Sequence, residues 1–182
     1  MPHAGYMYSG RVAGEVISRV KIKKDIVILG PNHTGYGEPF SVMASGKWHT
    51  PLGDVSINSR LAESLIKNEP LLSEDYEAHR FEHSIEVEIP FLQYLRPDIR
   101  IVPIVLADGD IDTLESIGLS LARTLKANFL EKDTLIIASS DMTHYESAES
   151  AKKKDMIALD DIVKMDERKL FRDIKGLEIS MC

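Results

Sequence analysis

The stretch TLIIASSDMTHY, Thr134–Tyr145, decides how the chain folds. Leu135-Ile136-Ile137-Ala138 is an uninterrupted apolar run that passes directly into Ser139-Ser140-Asp141 and then His144. Such a run, bounded by polar residues, suits a strand buried on both faces, as in a parallel sheet covered by helices. The carboxyl ends of strands in sheets of that kind open into the crevice where ligands bind. Asp141 and His144 therefore stand where an acid and an imidazole can do chemistry. The competing reading makes Asp141 a turn cap and His144 a solvated loop residue. This stretch alone leaves the two level.

Two further apolar runs echo the first. Asp25-Ile26-Val27-Ile28-Leu29-Gly30 is stopped by Pro31, and Asn32-His33-Thr34-Gly35 forms the loop at its carboxyl end. Arg100–Leu106, RIVPIVL, contains Pro103, which a strand tolerates at an edge or a bulge. Helical periodicity separates the runs. Val12, Ala13, Val16, Ile17 and Val20 predict an inward helix face over about 10–20, capped by Ser9. Asn58 caps a helix over about 59–67, and Ile111, Leu114, Ile117, Leu121 and Leu125 stripe a helix over 110–127. Helices over about 148–164 and 167–173 follow the opening stretch, before a break at Gly176. Phe40–Ala44 and Val55–Ile57 predict a hairpin around the Pro51/Gly53 turn. Residues 77–95 read as one helix kinked near Pro90, with His83 at its amino end. The alternation predicts an α/β fold, a three-layer α/β/α sandwich on a mostly parallel or mixed sheet.

Composition narrows the functional classes. A chain of 182 residues, 43% hydrophobic, is long enough for one domain with a sizeable core. Its formal charge of −7 argues against a nucleic-acid surface. No apolar segment approaches the roughly 20 residues that cross a bilayer. One cysteine, Cys182, excludes an internal disulfide and fits a reducing, cytoplasmic setting. Met1-Pro2-His3 reads as the end of an element and Cys182 is the last residue, so a single domain over 1–182, cut short at both ends, is expected.

The six histidines form no local metal signature, so any site must be assembled from separated loops. His3, His33 and His144 share a context, each beside small or turn-forming residues at a strand exit. Two imidazoles with one anionic ligand and open positions make a minimal set for a metal that activates a small molecule. Cys182 as thiolate could be that anion and would suit iron, copper or zinc. His83, between Glu82 and Ser84, fits acid–base duty or a cap. His49 beside Trp48 reads as structural, and His79 in Glu77-Ala78-His79-Arg80 as solvated. No G-x-S-x-G elbow, P-loop or G-x-G-x-x-G is present.

Several motifs together resemble the Memo family: Pro2-His3-Ala4-Gly5-Tyr6, Gly30-Pro31-Asn32-His33, Thr50-Pro51-Leu52-Gly53, Glu82-His83-Ser84-Ile85-Glu86 and Ser139-Ser140-Asp141-Met142-Thr143-His144-Tyr145. The resemblance runs from residue 2 to 182 in family order. It implies a fold similar to class III extradiol dioxygenases, with non-haem iron at the sheet edge. It also implies a pocket lined by His3, His33, Asp141, His144 and Cys182, with His83 close by. His3 and His33 match the dioxygenase histidines, and Cys182 stands where those enzymes carry a glutamate. The implied partners are AMMECR-like and radical-SAM proteins. Three functions are compatible with this pattern. One is a metal-dependent redox protein on iron or copper, with His144 and His83 moving protons and Asp141 orienting an imidazole or polarising water. The second is a binding module that takes a peptide or small ligand without turnover, with Tyr6, Tyr8, Tyr36, Trp48 and Tyr145 available to line the pocket. The third is zinc-assisted hydrolysis.

Overall fold

The three apolar runs lie side by side in one sheet, 25–31 and 100–106 inside it and 134–138 at its edge, where Ile136 is 47% exposed rather than buried on both faces as expected. A computed structural model describes residues 1–182, which form two compact units, Met1–Ser139 and Ser140–Cys182. The first unit begins α1 (Tyr6–Ser18), β1 (Asp25–Pro31), β2 (Phe40–Val42), β3 (Lys47–Thr50), β4 (Gly53–Ile57) and α2 (Ser59–Asn68). It continues with β5 (Ser73–Glu74), α3 (Glu77–Arg80), a 3-10 turn at Glu86–Glu88 and α4 (Ile89–Leu95). It ends with β6 (Arg100–Leu106), α5 (Ile111–Ala127) and β7 (Thr134–Ala138). The second unit holds α6 (Ala148–Lys164) and α7 (Glu167–Gly176). No helix is long and apolar enough to cross a membrane.

All seven strands belong to one mixed, mostly parallel sheet with the path β3-β4-β6-β1-β7. β1 pairs in parallel with β6 and β7, Ile28 facing Pro103 on one side and Ile137 on the other. Alternation along these strands builds a core on each face. Ile26, Ile28, Ile101 and Val105 pack with Ile17 of α1 and Ile89 and Leu92 of α4. Val27, Val102 and Ile104 pack with Leu61 and Leu65 of α2 and Leu121 and Leu125 of α5. The first unit is thus a sheet between two helical layers, the expected α/β sandwich. Fully burying one such aliphatic side chain contributes about 2 kcal/mol, which is why the apolar runs of β1 and β6 take interior positions.

Four local expectations are corrected. β6 is an interior strand, yet it accepts Pro103 because of a gap beside it. β4 pairs only with Arg100 and Ile101, and β2 only with Ile104, Val105 and Leu106, so no partner residue faces Pro103 on that side. The hairpin joins β3 to β4 through 47–50 and 53–57, whereas β2 runs antiparallel to β6. α1 starts at Tyr6, with Ser9 inside it donating to the Ala4 carbonyl at 2.6 Å. Of its expected inward face only Ala13 and Ile17 are buried, and Val12, Val16 and Val20 are exposed. Finally, 77–95 is not one kinked helix. Pro90 sits in the first turn of α4, where a missing N–H is harmless, and His83 lies in the non-helical link before the 3-10 turn.

In the second unit, α6 is capped by Ser147 and α7 by Asp166, whose side chains accept from Ser150 N and Lys169 N. The Lys169 ammonium ties the helices by bonding Asp161 at 2.7 Å and Asp173 at 2.6 Å.

Candidate functional site

In the first unit the amino-terminal segment and the exits of β1 and β7 meet. Ser139 N continues the ladder by donating to Leu29 O at 2.8 Å. Gly30 lets the 82–85 link approach β1 closely. A Cβ there would lie 2.7 Å from Ser84 Oγ and 2.9 Å from Ile85 Cγ1. The Ser84 hydroxyl donates to Pro31 O at 3.0 Å and pins that link. The result is a cluster of three imidazoles. Ring centroids are 5.1 Å apart for His3 and His33, 5.7 Å for His3 and His83, and 4.9 Å for the stacked His33 and His83.

Two of these rings have an assignable tautomer. Glu82, with its side chain 1% exposed, accepts from His33 N at 2.6 Å, His33 Nδ1 at 2.9 Å and Ser84 N at 2.9 Å. Burial pushes the Glu82 carboxyl up, but the hydrogen bonds from His33 and Ser84 outweigh it and hold the pKa below the usual value. Glu82 is therefore an anionic acceptor, and the proton of His33 sits on Nδ1. His3, which is buried, places Nδ1 2.8 Å from Ser139 Oγ. The Ser139 hydroxyl has one proton, and its oxygen also lies 2.5 Å from Ser84 O and 2.9 Å from Glu88 Oε1. With that proton directed to a carbonyl or carboxyl oxygen, Ser139 presents a lone pair to His3, whose Nδ1 must donate. In the neutral form of each ring the proton then sits on Nδ1 and not on Nε2. A metal-binding imidazole is oriented by just this kind of bond from its other nitrogen. His3 and His33 suit a metal on these grounds. The ligand atoms of His33, Glu82 and His83 also lie within 4.8 Å of one another.

The second unit gathers Asp141, His144 and Cys182, whose ligand atoms likewise fall within 4.8 Å of each other. Ser180 fixes His144 from both sides: its hydroxyl accepts from His144 N at 2.7 Å, and its carbonyl takes His144 Nδ1 at 2.8 Å. Nε2 then faces Asp141 Oδ2 at 3.7 Å, beyond a hydrogen bond and close enough for attraction on protonation. Cys182 N donates to Asp141 O at 3.2 Å.

The structure thus brings His3, His33 and His83 together within one unit and Asp141, His144 and Cys182 within the other. Sequence reasoning missed Glu82 as the partner of His33, along with Ser139, Ser84, Glu88 and Ser180. The aromatic residues named for a pocket disperse: Tyr8, Tyr36 and Tyr145 are exposed, and Trp48 packs edge-on against His79. His49 pairs with Asp54 at 2.6 Å on the exposed hairpin. His79 departs most from expectation, being only 6% exposed, with neither ring nitrogen hydrogen-bonded.

Comparison with known proteins agrees with the motif pattern. A family model described as Memo-like protein matches residues 1–182. The chain is 43% identical over 183 residues to a MEMO1 family protein of Aquifex aeolicus, covering 100% of this chain and 67% of the relative. It is 41% identical over 186 residues to one from Sulfolobus acidocaldarius, covering 100% and 65%. It is 42% identical over 181 residues to one from Archaeoglobus fulgidus, covering 100% and 67%. The chain spans about two thirds of the length of these curated relatives.

Proposed function

This chain belongs to the Memo-like family, and from that premise we propose that its imidazole cluster holds a redox-active metal, iron or copper, in a dioxygenase-like site. The observation that carries the reading is the locked tautomer pair. Glu82 and Ser139 engage Nδ1 of His33 and His3, the kind of bond from one ring nitrogen that orients an imidazole to ligate a metal through the other. The resemblance adds the Cys182 thiolate as the anionic ligand, and that assignment rests on the resemblance alone. A bound iron or copper would supply one-electron chemistry or polarise a small-molecule ligand. The protein's own groups do the rest. Glu82 and Ser139 hold the ligand rings in register. His83, half exposed beside them, moves protons to and from a substrate. His144 does the same in the second unit, held by Ser180 with its Nε2 3.7 Å from Asp141 Oδ2. A reducing, cytoplasmic compartment keeps the lone thiol available. AMMECR-like and radical-SAM proteins are the partners of this reading.

Metal analysis of protein purified without chelators tests it. Iron or copper near one per chain, lost in His33→Ala and reduced in Cys182→Ala, is the expected result. Protein that carries no metal yet binds peptide after both His3 and His33 are replaced would overturn it in favour of a binding module. Zinc accompanied by pH-dependent esterase activity would overturn it in favour of hydrolysis.

A further inference from the structure

Ser84 stands between the partner of His33 and the partner of His3. It is fully buried, in an irregular turn between α3 and the 3-10 turn at Glu86–Glu88. Buried main-chain N–H and C=O groups need partners, and Ser84 finds both of its own in side chains of the site. Its N–H donates to Glu82 Oε1 at 2.9 Å, the same oxygen that accepts from His33 Nδ1 at 2.9 Å. Its carbonyl takes the Ser139 hydroxyl at 2.5 Å, and the oxygen of that hydroxyl lies 2.8 Å from His3 Nδ1. A single chain of bonds therefore runs from His33 through Glu82, Ser84 and Ser139 to His3.

The middle of that chain is fastened to β1. The Ser84 hydroxyl donates to Pro31 O at 3.0 Å, two residues before His33. Gly30 lies directly against it, since a Cβ there would fall 2.7 Å from Ser84 Oγ and 3.2 Å from Ser84 Cβ. Glu88 Oε1, at 2.9 Å, is the other oxygen within reach of the Ser139 proton. The 2.5 Å contact is the shorter, which gives the proton to Ser84 O. Hydrogen bonds weaken steeply as their geometry degrades. A shift of Ser84 away from β1 therefore disturbs the supports of both imidazoles in one movement.

We infer that Ser84 is a positioning residue for His3 and His33 at once, and that its main-chain groups couple the two ring settings so that they are held or released together. The inference rests on the reading of these two imidazoles as metal ligands, each oriented toward the ion by the bond its Nδ1 makes. Glu82 serves His33 and Ser139 serves His3, whereas Ser84 serves both. The two ligands are then set as a unit by the seating of one short link on β1.

Nitrogen NMR spectra of the imidazole rings test the coupling in metal-free protein, at a pH above the ordinary histidine value of about 6.5. Wild type should show His3 and His33 each in one tautomer, with the proton on Nδ1. Ser139→Ala, which leaves the link seated, should average the tautomers of His3 alone. Ser84→Ala unfastens the link from Pro31 and Gly30→Ala pushes it away, so each should average both rings while circular dichroism stays unchanged. The His49 ring, on the exposed hairpin, is the internal reference. Averaging confined to His33, with His3 still in a single tautomer in both variants, would overturn the inference. So would two rings that stay locked in both. Copper(II) titrated alone should bind Ser84→Ala about 10–100-fold more weakly than wild type. A wild-type protein with both rings locked that binds neither copper nor iron would overturn the metal reading and leave the coupling standing.

Discussion

His33 and His79 belong to the same unit and lie on the same side of the chemistry of histidine, yet the protein treats them oppositely. His33 keeps 34% of its side chain exposed, and Glu82 engages both its main-chain N–H and its Nδ1. His79 is almost wholly buried and has no hydrogen bond at either ring nitrogen. The difference comes from which neighbouring carboxylate turns inward. Asp75 spends its oxygens on the main-chain N–H groups of Glu38, Glu77 and Ala78, capping α3, and has none directed to His79. Glu82 spends its own on His33 and Ser84. An imidazole with a fixed anionic partner has a defined tautomer and is ready to ligate. A buried imidazole without one is held neutral and awaits a partner.

The sharpest break of this comparison is acid. The His79 pKa falls from 6.5 to about 4 on folding, chiefly by burial, with Asp75, the Ser41 main chain and Glu82 opposing it. The unfolded chain therefore binds more protons between those two values, and stability is lost as pH falls from about 6.5 to about 4. The loss approaches about 3 kcal/mol and levels off below the folded value. Urea midpoints of wild type and His79→Phe at pH 7 and pH 4.5 check it. The variant should match or exceed wild type at pH 7, since an unpaired buried polar ring costs about 1–3 kcal/mol, and should lose much less in acid. A remaining decline in the variant belongs to carboxyls held below their usual pKa, Glu82 and Asp75 among them, whose stability is present above the unfolded carboxyl pKa and lost as pH drops through the folded one.

The other arm of the comparison is Glu82 itself. Glu82→Gln removes the anion that accepts from two N–H groups and the His33 ring. A cost of about 2 kcal/mol is expected from charge-assisted bonds of this kind, read as a lower urea midpoint. Under the metal reading, affinity for the ion should fall about 10–100-fold, as it does when an outer-shell partner is lost. Gly30→Ala tests the same link from below. Its new Cβ collides with Ser84 and Ile85, and overpacking of about 1–2 kcal/mol should follow. Proton-detected imidazole spectra should then show His33 losing its single tautomer.

Much of the frame was legible because β1 and β6 are apolar runs, a pattern that suits a sheet covered on both faces; β7 reads the same way but lies at the edge with Ile136 exposed. β3 was not, because Lys47-Trp48-His49-Thr50 lies at the sheet edge and has no buried period to read. The helix over 77–95 was misjudged because Glu82 and Glu88 point inward, against the default that carboxylates mark the surface. His79 was misjudged for a related reason: Glu77 and Arg80 around it look like a solvated loop, while α3 turns Ala78 and His79 into the protein. The imidazoles of the candidate site could be anticipated from their places at strand exits. Their partners could not, since Glu82 is 49 residues from His33 and Ser139 is 136 from His3.

His49 supplies the mildest test of the comparison. Its Nδ1 meets Asp54 at 2.6 Å, shorter than the 2.9 Å between His33 and Glu82. Distance alone would make the His49 pair the stronger one. Exposure argues otherwise: the His49 side chain is 83% exposed and that of Asp54 45%, so water screens the pair and competes for both partners. Asp54 has its pKa lowered, mainly by the hydrogen bond from His49, but that shift reflects a contact solvent can replace. Asp54→Asn should leave the urea midpoint unchanged within error at pH 7 and the salt dependence of stability nearly flat. A loss comparable to that of Glu82→Gln would show that contact length, rather than burial of the carboxylate, separates a structural histidine pair from a functional one.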